Sequence, residues 1–207
     1  MEQVRLAELV AGKLCHDFMG PMTAMMHGLE LLKQTPGGDA EALSLLENGV
    51  VKAHAKLDFY RHSLGGALGG DGDVPLSAAM PAAQGLYSTF KAELDWQGGD
   101  LTLPRAVIRV VLNILMIANE CLPKGGTVRL DAEGDQIRIT ATGEKARLRA
   151  EIATGLAGGV AEDGMASMYI MPLMTALLAR QAGVTLTTGE TEGGFVFTLT
   201  RPALAGG

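Results

Sequence analysis

Aromatic residues are scarce in this sequence: one tryptophan, three tyrosines and five phenylalanines among 207 residues. The stacking platforms on which single-strand nucleic-acid binders hold bases are therefore largely missing. Excess positive charge is missing too. Seventeen lysines and arginines against 23 aspartates and glutamates leave a net charge of −6, which argues against DNA, RNA or an anionic membrane surface as partner. Two cysteines, Cys15 and Cys121, are too few for a disulfide framework and suit a reducing, cytoplasmic setting. No apolar run reaches the ~20 residues of a membrane span. The longest, residues 106–122, is interrupted by Arg109, Asn113 and Asn119 and reads as a buried helix. The N-terminal MEQVRLAELV has no basic segment followed by an apolar one, so no signal peptide is expected.

What is present is aliphatic. Apolar residues make up 47% of the chain and include 11 methionines, enough for a real core and too many for a disordered chain. The length suits one large domain or two small ones. Leu6, Val10, Leu14, Phe18, Met22, Met25, Leu29 and Leu32 recur at the spacing of one helical stripe. Thr35-Pro36-Gly37-Gly38 breaks the pattern, and Asp39 is a good N-cap for a second helix with a stripe of Leu43, Leu46, Val50, Ala53, Leu57 and Leu64. So short a connection makes the two helices antiparallel. A lone hairpin cannot bury both sides of its stripes, which predicts a homodimer forming a four-helix bundle. Glycines at 65, 66, 69, 70 and 72, followed by Pro75, read as a linker. The expected domains are thus residues 1–70 and 74–207.

The second part mixes elements. Residues 77–90 read as helical, 93–96 as a strand, and Pro104 opens a long helix to residue 121. Residues 127–131 and 136–140 alternate as a hairpin; 146–156 and 167–182 look helical; 184–188 and 195–200 form a second hairpin. Helices grouped against a mostly antiparallel sheet predict a two-layer α/β sandwich.

His16 carries the chemical argument. At ~100° per residue it points ~170° away from the centre of the first helix's apolar stripe. Asp17 follows it, and a carboxylate beside an imidazole can hold one ring N–H and leave the other nitrogen nucleophilic. Pro21 removes the backbone bond to the Asp17 carbonyl and predicts a kink. Gly12 and Gly20 stand one turn before and after His16, each at a cost of ~1 kcal/mol relative to alanine. Two such residues around an exposed histidine suggest that another molecule approaches closely. Lys13 could offset phosphate charge, although a solvated lysine is the plainer reading. Gly12, Lys13, Gly20 and Thr23 are taken as the docking face. His27, His54 and His62 read as structural or surface residues, and Cys15 as bundle packing. Lys52, Lys56 and Arg61 read as a solvated or docking face of the second helix.

His16-Asp17-Phe18-Met19-Gly20-Pro21 resembles the H-[D/E]-x-x-x-P phosphoacceptor motif of histidine kinases. With Leu14-Cys15 before it, Gly28-Leu29-Glu30-Leu31-Leu32 after it, and Lys56-Leu57-Asp58-Phe59-Tyr60-Arg61 further on, the chain resembles the ChpT-type histidine phosphotransferases of alphaproteobacteria along nearly its whole length. The second part is similar to the ATP-binding domain of histidine kinases, but degenerate. Asn113 matches the first asparagine of the kinase N-x-x-x-N-A pattern, while Ile117 stands where the magnesium-binding asparagine belongs. Ala141 replaces the aspartate of the adenine-binding D-x-G-x-G box, of which Gly143 survives, and 155–159 is a weak substitute for the glycine-rich lid.

The resemblance implies a cytoplasmic homodimeric phosphotransferase. In that reading His16 takes a phosphoryl group from one receiver-domain aspartate and passes it to another, and Asp17 orients the imidazole. No ATP or resident metal is expected, because the receiver supplies Mg²⁺. The partners implied are the receiver of a CckA-like hybrid kinase and CtrA-like and CpdR-like response regulators, with no nucleic acid or membrane involved. The rival readings are an active ATP-dependent histidine kinase and an adaptor that binds receivers without phosphotransfer.

Overall fold

The computed structural model describes residues 3–34, 40–65, 72–159 and 166–201. Helix α1 (Gln3–Gln34) and helix α2 (Ala40–Ser63) form the N-terminal part. Their contacts run in opposite directions along the two chains: Gly28 meets Ala42 and Leu46, Gly49 meets Pro21 and Met25, and Asp17 meets Lys56 and Tyr60. The hairpin is therefore antiparallel. The predicted breaker and the Asp39 cap between the helices lie outside the described residues, as does 66–71 of the predicted linker.

Two glycines set the spacing of this pair. A Cβ at Gly28 would stand 2.8 Å from the Ala42 carbonyl oxygen, and one at Gly49 would stand 2.9 Å from that of Pro21. Only hydrogen fits at those crossings. The helix continues through Pro21, which is buried against α2. The predicted stripe of the second helix needs correction. Its buried residues are Ala42, Gly49, Ala55, Phe59, Tyr60 and Ser63. Leu43, Val50 and Leu57 are instead 50%, 54% and 54% exposed. Small residues line the intrachain contact because they let the helices close up, and the larger aliphatics turn outward. Met19, Met22, Met26 and Leu29 of α1 also remain largely exposed.

The remainder is a two-layer α/β sandwich. Its sheet has the order β2-β4-β5-β7-β6, formed by Ala92–Gln97, Gly126–Glu133, Gln136–Thr142, Gly194–Thr200 and Thr185–Thr191. Only the β2–β4 pair is parallel. Val128 and Leu130, Ile137 and Ile139, and Phe197 and Leu199 alternate inward along β4, β5 and β7 and are fully buried. They meet α4 (Arg105–Glu120), whose residues from 107 to 118 are all buried except Arg109. Helices α3 (Met80–Tyr87) and α6 (Ala166–Gln181) complete that layer. The outer face of the sheet is polar, with Arg129 paired to Asp95 and Asp131.

A two-strand pair, β1 (Asp73–Pro75) with β3 (Thr102–Pro104), had no readable sequence pattern, being three residues long and proline-ended on both strands. The helix predicted over 146–156 is confined to α5 (Ala150–Leu156). Residues before it are kept out of the helix because the Arg147 N–H donates to the Cys121 carbonyl at the end of α4, and Lys145 takes a positive φ of 60°. Among the described residues no helix is long and apolar enough to cross a membrane.

The hairpin and the sandwich share one core. Phe59 and Tyr60 of α2 are buried in it, and Leu6, Val10, Leu14 and Phe18 of α1 pack against it. Polar bonds reinforce the contact. Arg109 Nη2 donates to the Leu64 carbonyl at 3.0 Å, and Asn113 Nδ2 to that of Ser63 at 3.0 Å. These two α4 side chains satisfy the last carbonyls of α2, and the guanidinium sits at the favourable end of its dipole.

Candidate functional site

His16 and Asp17 are adjacent on α1 and point opposite ways with respect to the protein. The His16 side chain is 82% exposed, whereas that of Asp17 is 12% exposed and turned toward α2. The carboxylate is held from three directions. Lys13 Nζ donates to both of its oxygens at 2.7 and 2.9 Å, and the Tyr60 hydroxyl donates to Oδ2. His16 Nδ1 lies 3.3 Å from Oδ1. Burial of Asp17 opposes its ionisation, but the bonds from Lys13 and Tyr60 outweigh it and hold the carboxyl below its ordinary range. Tyr60 is pushed the other way by burial and by Asp17, so its hydroxyl stays protonated and remains a donor. With Nδ1 turned to the carboxylate, the outer nitrogen, Nε2, faces solvent.

Tyr60 is the residue the sequence argument missed. It was visible only inside the segment 56–61 that carried the family resemblance. Its ring packs between Phe18 and Phe59, with centroids 6.3 and 6.2 Å away, so the bond to Asp17 originates in the shared core. Lys13 is not a solvated lysine: its side chain is 16% exposed and spent on Asp17. Nor does Lys56 lie on a solvated face. It is half-buried, and its Nζ donates to the Asp17 backbone carbonyl at 2.7 Å. Cys15 is exposed in the single chain. It stands ~200° round the helix from Asp17, and Asp17 is the side that faces α2.

Gly12 and Gly20 are exposed, and a Cβ at either would meet nothing within 4 Å. Nothing among the described residues requires glycine there. Thr23 is exposed on the same helix. His27 and His54 are exposed, and His62 Nδ1 pairs with the Asp58 carbonyl at 2.8 Å.

A cleft of about 240 Å³ opens between α1 and the sandwich beside His16, lined by Lys13, Glu120, Arg149 and Glu151 among others. A second, of about 160 Å³, reaches from Asp17, Lys56 and Tyr60 to Glu120. Glu120 borders both. Burial raises its pKa, the Asp17 charge adds to that, and Lys13 and Arg149 oppose it. The residues at the kinase nucleotide positions do not fit a nucleotide. Ile117 and Ala141 are fully buried and apolar. The Asn113 amide nitrogen donates to the Ser63 and Arg109 carbonyls, and its Oδ1 is buried with no hydrogen-bond partner among the described residues. The glycines of 155–159 close α5: the Gly158 and Gly159 N–H groups donate to the Gly155 and Thr154 carbonyls.

Comparison with known proteins places the chain in a family. The family model described as the histidine phosphotransferase C-terminal domain matches residues 76–194. Protein phosphotransferase ChpT of Brucella abortus (strain 2308) is 29% identical over 196 residues, covering 93% of each chain. A solved bacterial phosphotransferase superposes with a TM-score of 0.85 at 29% identity, over 96% of this chain and 97% of that one. An exposed, carboxylate-backed histidine on a helical hairpin, a sandwich without nucleotide ligands, and a family match across more than half of the sequence lead to one conclusion: the chain belongs to the histidine phosphotransferase family.

Proposed function

We propose that His16 Nε2 is the atom that carries the phosphoryl group in this protein, a histidine phosphotransferase of a phosphorelay. The observation that carries this reading is the 82% exposed imidazole whose Nδ1 faces the buried Asp17 carboxylate. Asp17 accepts the Nδ1–H bond and fixes the tautomer, so the lone pair on Nε2 points outward. In the forward step Nε2 attacks the phosphorus of a receiver's aspartyl phosphate. The P–N bond forms as the P–O bond to the aspartyl carboxylate breaks, and the carboxylate leaves. Transfer to a second receiver reverses these bonds. Such transfers pass through a loose, in-line transition state, so positioning and electrostatics account for most of the catalysis. The receiver contributes Mg²⁺, and this chain contributes an oriented nitrogen with an open approach over Gly12 and Gly20 and past Thr23.

The donor in this reading is the receiver of a CckA-like hybrid kinase, and the acceptors are CtrA-like and CpdR-like regulators, in the cytoplasm. The protein acts as a homodimer, with the exposed stripes of α1 and α2 facing a second copy. It neither binds nor uses ATP, because the side chains at positions 117 and 141 offer no oxygen and Asn113 is fully buried. One labelling experiment tests these points. A ³²P-labelled receiver should label the wild type and leave His16→Ala unlabelled, with an unchanged circular dichroism spectrum, since truncating so exposed a side chain removes little packing. Labelled Mg-ATP alone should label neither. Labelling of His16→Ala by the receiver sinks the site assignment, and labelling of the wild type by ATP restores the kinase reading.

A further inference from the structure

Pro21 has no N–H, so the carbonyl four residues before it, that of Asp17, loses its intrahelical partner. An orphaned carbonyl in a partly buried place needs another donor. In this fold the donor comes from the other helix: Lys56 Nζ sits 2.7 Å from the Asp17 carbonyl oxygen. The bond is specific to the backbone. Both Asp17 carboxylate oxygens are already taken, by Lys13 and by Tyr60. The ammonium also stands where a cation is disfavoured. Burial pulls its pKa down, Lys13 and Lys52 add to that, and only Asp17 opposes them. Placing a lysine there has a cost that the carbonyl bond offsets. Close by, the Pro21 carbonyl faces Gly49, where a Cβ would come within 2.9 Å, so α2 is pressed against α1 at the gap in the hydrogen-bond ladder.

We propose that Lys56 is a positioning residue for phosphotransfer: its ammonium replaces the N–H that Pro21 lacks and fixes the turn of α1 that carries His16. The proposal rests on His16 being the phosphoacceptor. Lys56 does not reach the imidazole; it acts through the backbone of Asp17, which sets where both side chains project. A helix break left unfilled would let the turn rock, and misplacement on the order of 1 Å can cost as much as ~10²-fold in rate.

A double-mutant cycle tests this, because it isolates the interaction of the two positions. Lys56→Met removes the donor and keeps an apolar stem; Pro21→Ala supplies the missing N–H. The readouts are the rate of labelling by a phosphorylated receiver and the ¹³C shift of the Asp17 carbonyl, which needs no phosphoryl group. Lys56→Met is expected to slow labelling roughly tenfold and to move the carbonyl shift. In the Pro21→Ala background the same change should alter the rate by less than about twofold and leave the shift in place, because the backbone N–H gained at position 21 then serves the carbonyl. Lys56→Arg, which keeps a donor, should stay within a few-fold of wild type. Equal losses in both backgrounds, or a slow Lys56→Arg, would overturn the proposal. So would a carbonyl shift that moves with no change in rate. Labelling of His16→Ala, by contrast, removes the phosphoacceptor reading itself and is scored separately. If Pro21→Ala fails to fold, the Met and Arg variants alone decide between a donor role and a packing role.

Discussion

At Asp17, burial and hydrogen bonding pull in opposite directions, and the bonds prevail; at Glu120, burial prevails. The consequences for stability have opposite signs. Asp17 is more acidic folded than unfolded. Its contribution is present above the unfolded value of 3.8 and is lost as pH falls through the folded one. Glu120 is less acidic folded than unfolded. It costs nothing while protonated in both states, and its penalty grows as pH rises from the ordinary 4.5 through the folded value. Glu120→Gln is therefore expected to raise the thermal midpoint at pH 7, with the gain vanishing below about pH 4. Melting curves across that range check it, and an equal gain at both ends would show that charge is not the cause.

At the scale of elements, the glycines of the hairpin fall into two classes that the sequence does not separate. Gly28 and Gly49 are points of helix contact, whereas Gly12 and Gly20 face open space. Gly20→Ala should stabilise the protein by about 0.8–1 kcal/mol through helix propensity alone. Gly49→Leu should destabilise it by about 1–3 kcal/mol by forcing α2 off Pro21 and Met25. Denaturant unfolding at one fixed protein concentration separates them. Gly20→Leu should slow phosphotransfer more than Gly20→Ala while remaining at least as stable. Transfer by Gly20→Leu at the wild-type rate would leave the open face without a docking role. The helical stripe of α2 taught a related lesson. Periodicity located the helix, but Leu43, Val50 and Leu57 face outward because residues as small as Ala42, Gly49 and Ala55 make the closer intrachain seam.

For the whole molecule, the outward stripes of α1 and α2 bear on the proposed dimer, and the α2–α4 contact concerns the chain itself. On α2 the outward residues Leu43, Val50 and Leu57 stand a heptad apart, each at least half exposed. Leu57→Glu combined with Val50→Glu is expected to convert a dimeric wild type to a monomer that retains its helical spectrum, as measured by light scattering and circular dichroism. A wild type that is already monomeric at micromolar concentration would remove the second copy from the account. Within one chain, Asn113 and Arg109 hold the end of α2, and Tyr60 carries that order to Asp17. The asparagine matching a kinase nucleotide position is here part of the splint between α4 and the end of α2.

The sequence alone determined the helix–helix–sandwich order and the exposure of His16, because both follow from local periodicity: a stripe repeating every three to four residues fixes which side of a helix is left over. It also shows Ile117 and Ala141, side chains without oxygen, at the positions where the resemblance places kinase nucleotide ligands. Tertiary structure alone decided what surrounds Asp17. Lys13 is a local partner, four residues away on the same helix. Lys56 and Tyr60 come from 39 and 43 residues further along the chain, and no spacing rule joins them to it. Their meeting depends on how closely α1 and α2 approach, which Gly28 and Gly49 set, and on the turn of α2 that buries Tyr60 between Phe18 and Phe59. Periodicity fixes the face of a helix, but the register between two helices is fixed only when their side chains pack.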